Sequence, residues 1–386
     1  MELSINSTLT NIQKSGIRIF TQMARQEPDC LFLTLGEPDL DTPAPICAAA
    51  KESLDRGETH YPENNGQKFL REAISAFEQE KHALQYSPDE IIVTVGATEA
   101  LFCALFGVLN PGDEVIVPMP AFGLYESIIK LCRGVCVPLD TSSNGFQITK
   151  SQLSAAITPR TKAIILTSPN NPTGCIYDHD TLEAVHSVLK DLPIFVICDD
   201  VYRDLIYVDT YESFMQYTDM RDRLIGVQSF SKPYAMTGWR VGYLMADLPV
   251  KAQLEKIHQY DVVSISSFVQ HACAEALQYN IHHELSIYKK RRDYVCSRLD
   301  QMGLPYFKPQ GAFYVFPSIQ HYGMDSYTFC ERMVKEGKLA CTPGSYFGAE
   351  GFMRISYCYN DAVLKEGMDR LERFLKTLTI KNDIKK

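Results

Sequence analysis

Residues 91–99 read Ile91-Ile92-Val93-Thr94-Val95-Gly96-Ala97-Thr98-Glu99. A short apolar, β-branched run ends at a Gly, and a helix-like run follows over 97–109. Continuous apolar runs of this length, bounded by turn residues, are the pattern of strands covered on both faces. The pattern recurs at Glu114-Val115-Ile116-Val117, Ala163-Ile164-Ile165-Leu166, Ile194-Phe195-Val196-Ile197, Leu224-Ile225-Gly226-Val227 and Val241-Gly242-Tyr243-Leu244-Met245. Helical segments separate these runs, which predicts an α/β architecture with a mostly parallel sheet.

Upstream of this block the sequence predicts an N-terminal arm over 1–30, with a short helix around Gly16 to Phe20. Helices are expected over 45–54 and from 68 to about 81. Loops are expected at Gly36-Glu37-Pro38-Asp39 and at Thr59-His60-Tyr61-Pro62-Glu63-Asn64-Asn65-Gly66. Downstream, residues 275–302 read as one long helix whose Lys289-Lys290-Arg291-Arg292 run forms a solvated face. A smaller α+β unit follows. It has strand-like runs at 312–316 and 354–357, a helix near 326–336, and a final amphipathic helix with Leu364, Met368, Leu371 and Leu375 on one face. The Lys-rich tail from about 379 is expected to fray.

At 386 residues the chain can bury a large core, with room for about two or three domains. A net charge of -9 argues against nucleic acid or an anionic membrane as the main partner. No apolar run reaches the ~18 residues of a spanning helix. Met1-Glu2-Leu3-Ser4-Ile5-Asn6 lacks a basic stretch followed by an apolar block, so a cytoplasmic location is expected. The twelve cysteines are scattered without a Cys-x-x-Cys pair. They read as buried free thiols in a reducing compartment, not as metal ligands.

In open α/β sheets ligands bind beyond the carboxyl ends of the strands. After Val95, the small residues Gly96-Ala97-Thr98 open a helix whose free N–H groups suit a phosphate, or simply form a helix cap. After Val117 comes Phe122, a ring that could stack on a planar group or pack in the core. After Leu166, Asn171-Pro172-Thr173-Gly174 is a rigid turn that fixes an amide. After Ile197 come Asp199-Asp200-Val201-Tyr202. An acid ending a buried strand is costly unless paired, and a protonated ring nitrogen or the next helix's N–H groups would serve. After Val227 comes Ser229-Phe230-Ser231-Lys232, with Arg240 eight positions beyond the lysine. A lysine held from water becomes a usable amine nucleophile, and an arginine grips an anion. Phosphate cradle, ring, amide, carboxylate and amine together are what a planar, phosphorylated aldehyde with a ring nitrogen requires. Pyridoxal 5′-phosphate is such a cofactor.

On these residues, with Pro343-Gly344-Ser345 and Arg354-Ile355-Ser356, the chain resembles the class I pyridoxal-phosphate-dependent aminotransferases of fold type I. The resemblance runs from Gly36-Glu37-Pro38-Asp39 to near Leu375. It implies a three-layer fold with a mostly parallel sheet and a smaller α+β domain. The expected division is an arm and part of the small domain over 1–48, a cofactor-binding domain over 49–285 and the small domain over 286–386. Lys232 is similar to the Schiff-base lysine and proton shuttle, and Asp199 to the partner of the pyridine nitrogen. Tyr202 and Asn171 match the two groups that bind the cofactor's phenolic oxygen, and Phe122 the stacking ring. Gly96, Ala97, Thr98, Ser229, Ser231 and Arg240 match the phosphate site. Tyr61 matches the tyrosine that reaches the neighbouring subunit's cofactor, which implies a homodimer with shared sites. Arg354 matches the α-carboxylate clamp, assisted by Gly36 and Asn171, and Ile17 lies where substrate side chains are sensed. The substrates implied are an amino acid and a 2-oxo acid such as 2-oxoglutarate.

Ile257-His258-Gln259-Tyr260 and Lys308-Pro309-Gln310-Gly311-Ala312-Phe313-Tyr314 are similar to a subgroup of aromatic, aspartate-type and N-acetyl-diaminopimelate aminotransferases. Residues 261–271 contain no arginine, so the distal-carboxylate arginine of dedicated aspartate enzymes is not recognisable. The acid pair Asp199-Asp200 stands where Asp-Glu is commoner in the family. Two alternatives remain open on this sequence. One is a carbon–sulfur β-lyase on the same fold, which the Thr237-Gly238-Trp239-Arg240 continuation disfavours. The other is a non-catalytic cofactor-binding sensor, which the absence of a basic helix-turn-helix pattern before Leu31 disfavours.

Overall fold

In the structure, a computed structural model that describes residues 4–12 and 14–378, each apolar run of the central block becomes a strand. The strands are β1 (Leu31–Phe32), β2 (Ile91–Thr94), β3 (Glu114–Met119), β4 (Val135–Asp140), β5 (Thr161–Thr167), β6 (Phe195–Asp199), β7 (Leu224–Ser229), β8 (Gly242–Ala246), β9 (Tyr314–Val315), β10 (Leu339–Ala340), β11 (Thr342–Pro343) and β12 (Met353–Ser356). Seven of them form one sheet in the order β2-β8-β7-β6-β5-β3-β4. The pairs from β4 through β7 are parallel, while β8 runs antiparallel to both of its neighbours. The edge strand β4 was not foreseen in the sequence. Most of its positions are exposed or half-exposed, so it lacks the two-faced apolar run that marks the others.

Alternate residues of the strands enter two different cores. Ile91, Val93, Ile116, Ile164, Leu166, Val196 and Cys198 pack on one face. Ile92, Val115, Val117, Ala163, Ile165, Ile197, Ile225 and Leu244 pack on the other. Helices cover both faces, which gives the three layers expected. A further core joins Phe20 and Leu33 to Phe313, Tyr314, Val315, Phe329, Met353, Ile355 and the final helix. That helix, Asp361–Thr377, buries Leu364, Met368, Leu371 and Leu375 as its periodicity predicts. The expected divisions at 48/49 and 285/286 both fall inside continuous helices, Ala44–Asp55 and His282–Met302.

The reading of 275–302 is corrected in two ways. The segment contains the end of one helix, Ser267–Gln278, and a second, His282–Met302. Its basic run is a solvated face only at Lys289 and Lys290, which are exposed, whereas Arg291 and Arg292 are buried. Arg291 forms a two-pronged pair with Asp39 at 2.6 and 3.1 Å, which ties the helix to the loop after β1. Arg292 donates to the Pro309 carbonyl and lies over the Tyr207 ring. Both guanidiniums fasten the small unit, and helical spacing alone cannot distinguish that use from solvation. All twelve cysteines are free and nine are buried. No helix among the described residues is long and apolar enough to cross a membrane. The Lys-rich tail from 379 lies outside the described residues.

The reversal of β8 is what gathers the site. Ser229–Val241 leaves the end of β7 and returns as β8, with Ser229 opposite Gly242. Gly242 is also opposite Thr94, the last residue of β2. Lys232, Arg240 and the start of the helix Gly96–Val108 therefore meet at the sheet edge where β5 and β6 end in Thr167 and Asp199.

Candidate active site

The helix Gly96–Val108 begins at that edge with Val95 as its N-cap and no side-chain cap. Its first N–H groups are thus available to an anion. Gly96 adopts φ +70°, and a Cβ there would stand 3.0 Å from Nη2 of Arg240. Gly242 is needed for an equally close approach, since a Cβ on it would lie 2.9 Å from the Ala97 nitrogen. Arg240 itself has φ +57°, a strained conformation for a non-glycine residue, and donates to the Thr237 carbonyl at 3.1 Å. Ser229 Oγ accepts from the Ser231 N–H at 3.1 Å, which folds the serine turn against the same opening.

Beside this cradle, Asp199 ends β6 in a buried position. Its Oδ2 accepts a 2.6 Å hydrogen bond from Tyr125, whose hydroxyl also lies 2.9 Å from Thr167. Its Oδ1 is buried and has no hydrogen-bond partner among the described residues. Burial raises the Asp199 carboxyl to about 6, opposed by the Tyr125 hydrogen bond and reinforced by Asp200. Phe122 packs edge-on to Tyr125, with centroids 6.3 Å apart. Tyr125 was not foreseen as a site residue. The only signal is its place one helical turn after Phe122.

Lys232 is partly buried, and its Nζ donates to the Gly36 carbonyl at 2.8 Å. Burial lowers its ammonium to about 8. Cys358 opposes that shift, and Arg354 adds to it. The Cys358 thiol donates to the Glu37 carbonyl at 3.2 Å, so residues 36 and 37 hang between the lysine and the thiol.

Arg354 lies on β12 and is buried. Its guanidinium is sandwiched between the rings of Tyr314 and Phe347, at 4.5 and 4.8 Å. Nη1 donates to Asn171 Oδ1 at 2.8 Å, Nη2 donates to the Thr34 carbonyl, and Nε is buried without a partner. Tyr314 also lies 2.7 Å, hydroxyl to hydroxyl, from Tyr202. Burial and then the neighbouring Tyr314 hold the Tyr202 phenol well above its ordinary range, so it remains a donor. Tyr314 fills the space beside Gly36, where any Cβ would collide with its hydroxyl. Ile17 packs at the margin of the cluster that contains Phe347. Thr34, Tyr314 and Phe347 are further residues of this clamp that sequence reasoning missed, because their relation to Arg354 is purely tertiary.

These residues fit pyridoxal 5′-phosphate. A buried carboxylate oxygen lacks a donor, which a protonated ring nitrogen would supply. The cradle beside Gly96 has the N–H groups and guanidinium a phosphate needs. An amine with a weakened hold on its proton stands between the two. Tyr61 is the one expected residue outside this gathering. It is 90% exposed on a loop and makes no hydrogen bond among the described residues.

The class I and II aminotransferase family matches residues 28–371. A Bacillus subtilis protein named "Probable N-acetyl-LL-diaminopimelate aminotransferase" is 40% identical, with 97% of this chain and 96% of that protein covered. Aromatic-amino-acid aminotransferase 2 of Thermococcus litoralis is 36% identical, with 97% and 99% covered. The solved aspartate aminotransferase of Thermus thermophilus with maleate superposes with a TM-score of 0.92 at 32% identity, covering 97% of this chain and all of that one.

Proposed function

Because the chain belongs to the class I and II aminotransferase family, and is thereby a pyridoxal-phosphate-dependent transaminase of amino acids and 2-oxo acids, we propose how its residues divide that work. Bound, the cofactor supplies an electron-withdrawing ring that takes up the electron pair released at the substrate's α-carbon. Gly96, Ala97, Thr98, Ser229, Ser231 and Arg240 bind its phosphate. Phe122 covers its ring, and Tyr202 and Asn171 hydrogen-bond its phenolic oxygen. Asp199 would hold the proton on the ring nitrogen through the oxygen that has no partner among the described residues. A buried carboxylate facing that charge stabilises what develops in the transition state.

Lys232 Nζ is the amine that would hold the cofactor, and as a free base it would take the proton from the substrate's α-carbon and give it up again as an acid. A lysine lowered to about 8 can serve both roles near neutral pH. Arg354 grips the α-carboxylate through a bidentate pair, with Gly36 and Asn171 beside it. The tight stack on Tyr314 and Phe347 fixes the plane of that grip. The exposed Tyr61 completes the phosphate site of a second copy, so the working form is a homodimer. Its cofactor unit spans 49–285, and its location is the cytoplasm. The donor is an aromatic, aspartate-type or N-acetyl-diaminopimelate-like amino acid, the classes named among the relatives.

One observation carries this division. A buried carboxylate oxygen without a partner and a lysine with a lowered ammonium share one sheet edge. The test is a spectral screen of amino acids against the cofactor-loaded enzyme, each followed by addition of 2-oxoglutarate. Donors that convert the bound pyridoxal form to the pyridoxamine form, reversed by the oxo acid, support transfer. Pyruvate and ammonia released from cysteine-type substrates, with no such conversion, would replace it with the β-lyase. A loaded protein inert to every amino acid would leave the sensor reading.

A further inference from the structure

The run Ile257-His258-Gln259-Tyr260 has no role in that division, yet it puts a fully buried imidazole behind the phosphate cradle. His258 lies in the helix Leu248–Asp261. Its Nδ1 is 2.6 Å from Oε1 of the buried Glu99, and its Nε2 is 2.7 Å from the main-chain oxygen of Asn64. Carbonyl and carboxylate oxygens only accept, so each ring nitrogen faces an acceptor. The Glu99–His258 pair must therefore hold two protons between its members. Removing one would set two lone pairs against each other between two buried side chains.

Both ends of the pair reach cofactor-binding elements. Glu99 Oε2 accepts from the N–H of Val95, the residue that caps the cradle helix and that no other side chain caps. Asn64 belongs to the loop that carries Tyr61. That loop is fastened again where the Asn65 carbonyl accepts from the Val93 N–H at 3.0 Å, and where Asn65 Nδ2 donates to Glu255 at 2.7 Å. The His258 carbonyl in turn accepts from the N–H groups of Val262 and Val263 at 3.0 and 3.2 Å.

We propose that Glu99 and His258 form a proton-sharing clasp that positions the phosphate cradle, locking its opening at Val95 and Gly96 to the Tyr61 loop. The proposal rests on the reading of Gly96, Ala97 and Thr98 as the phosphate site. His258 would act on the cofactor only through Glu99 and Asn64. Its loss should therefore affect ligands that carry a phosphate and spare those that do not.

The test compares the affinity of the cofactor-free protein for pyridoxal 5′-phosphate and for pyridoxal, which has the same ring and aldehyde but no phosphate. His258→Phe keeps the ring shape and removes both hydrogen bonds. It should weaken pyridoxal 5′-phosphate about tenfold or more and leave pyridoxal within about twofold. Glu99→Gln can keep the hydrogen bonds of the clasp. Its amide oxygen accepts from Val95, its amide N–H donates to a neutral His258, and Nε2–H still donates to Asn64. It should bind pyridoxal 5′-phosphate within about threefold of the parent. Equal weakening of both ligands by His258→Phe would overturn the clasp, and so would a larger loss in Glu99→Gln than in His258→Phe. A parent protein that does not prefer the phosphorylated ligand would remove the cradle reading itself, a distinct result. Should His258→Phe not fold, His258→Gln, which retains one donor, carries the same comparison.

Discussion

The cofactor edge and the carboxylate clamp meet at Lys232, but they are built on opposite principles. The cofactor edge leaves its binding groups open. The cradle helix has uncapped N–H groups, and Asp199 keeps a buried oxygen without a donor. The clamp holds its binding group closed. Arg354 is stacked between two rings and already donates to Asn171 and to the Thr34 carbonyl. A cofactor can enter the first site by satisfying what is unsatisfied. A substrate carboxylate must take Arg354 from neutral acceptors, which a charged acceptor does favourably. The contrast suits a group that stays bound and a group that must leave in every cycle.

The largest effect that would break this comparison is at the shared residue. Lys232→Ala should cost at least about a thousandfold in amino transfer, since it removes the amine placed at this edge. Absorbance of the loaded form and single-turnover rates check it, and retained turnover would end the assignment. At the clamp, Arg354→Ala should lower kcat/KM about a hundredfold, corresponding to one bidentate charged pair of about 3 kcal/mol. Cofactor affinity should change little, because the cofactor edge does not use Arg354. A parallel loss of cofactor affinity would show the two regions to be one.

A third prediction concerns the open groups in the cofactor-free protein. Asp199 is raised to about 6 in the folded state, so its contribution to stability falls as pH rises through the interval from its ordinary value to about 6. Lys232 is lowered to about 8, so its penalty persists below about 8 and is relieved as pH rises toward the ordinary lysine range. Thermal stability should show a trough between about 6 and 8, with each limb of order 2 kcal/mol. Asp199→Asn should flatten the acidic limb and Lys232→Met the alkaline one. A profile unchanged by both variants would mean that neither group is desolvated as the structure implies.

The same contrast explains what the sequence revealed. The cofactor edge was legible because each contribution is a short segment after an apolar run. Gly96-Ala97-Thr98, Asp199 and Ser229-Phe230-Ser231-Lys232 announce themselves by position. The clamp was legible only in Arg354, Asn171 and Gly36. The contacts that hold Arg354 join residues 183 and 320 positions apart, and no local pattern records which ring or carbonyl will lie there. Within the basic run at 289–292 the burial of Arg291 was hidden for the same reason, since it depends on Asp39, 252 positions away. The reversal of β8 was also hidden, because a buried strand reads alike in either direction.

The smallest effect bears on a residue of the open edge that sequence reading missed. Tyr125 donates the one side-chain hydrogen bond that Asp199 accepts. That bond favours the carboxylate, and so opposes the rise that burial causes. Tyr125→Phe keeps the ring and removes the hydroxyl, which should move the Asp199 carboxyl further upward. In the cofactor-free protein the acidic limb of the thermal-stability profile should then extend to higher pH, by an amount corresponding to one hydrogen bond of about 1 kcal/mol. A uniform loss across pH would instead mean that Tyr125 acts by packing against Phe122. Because Asp199 would be protonated with or without Tyr125 at the acid end of the profile, the size of any loss there separates tuning of the carboxyl from support of its position.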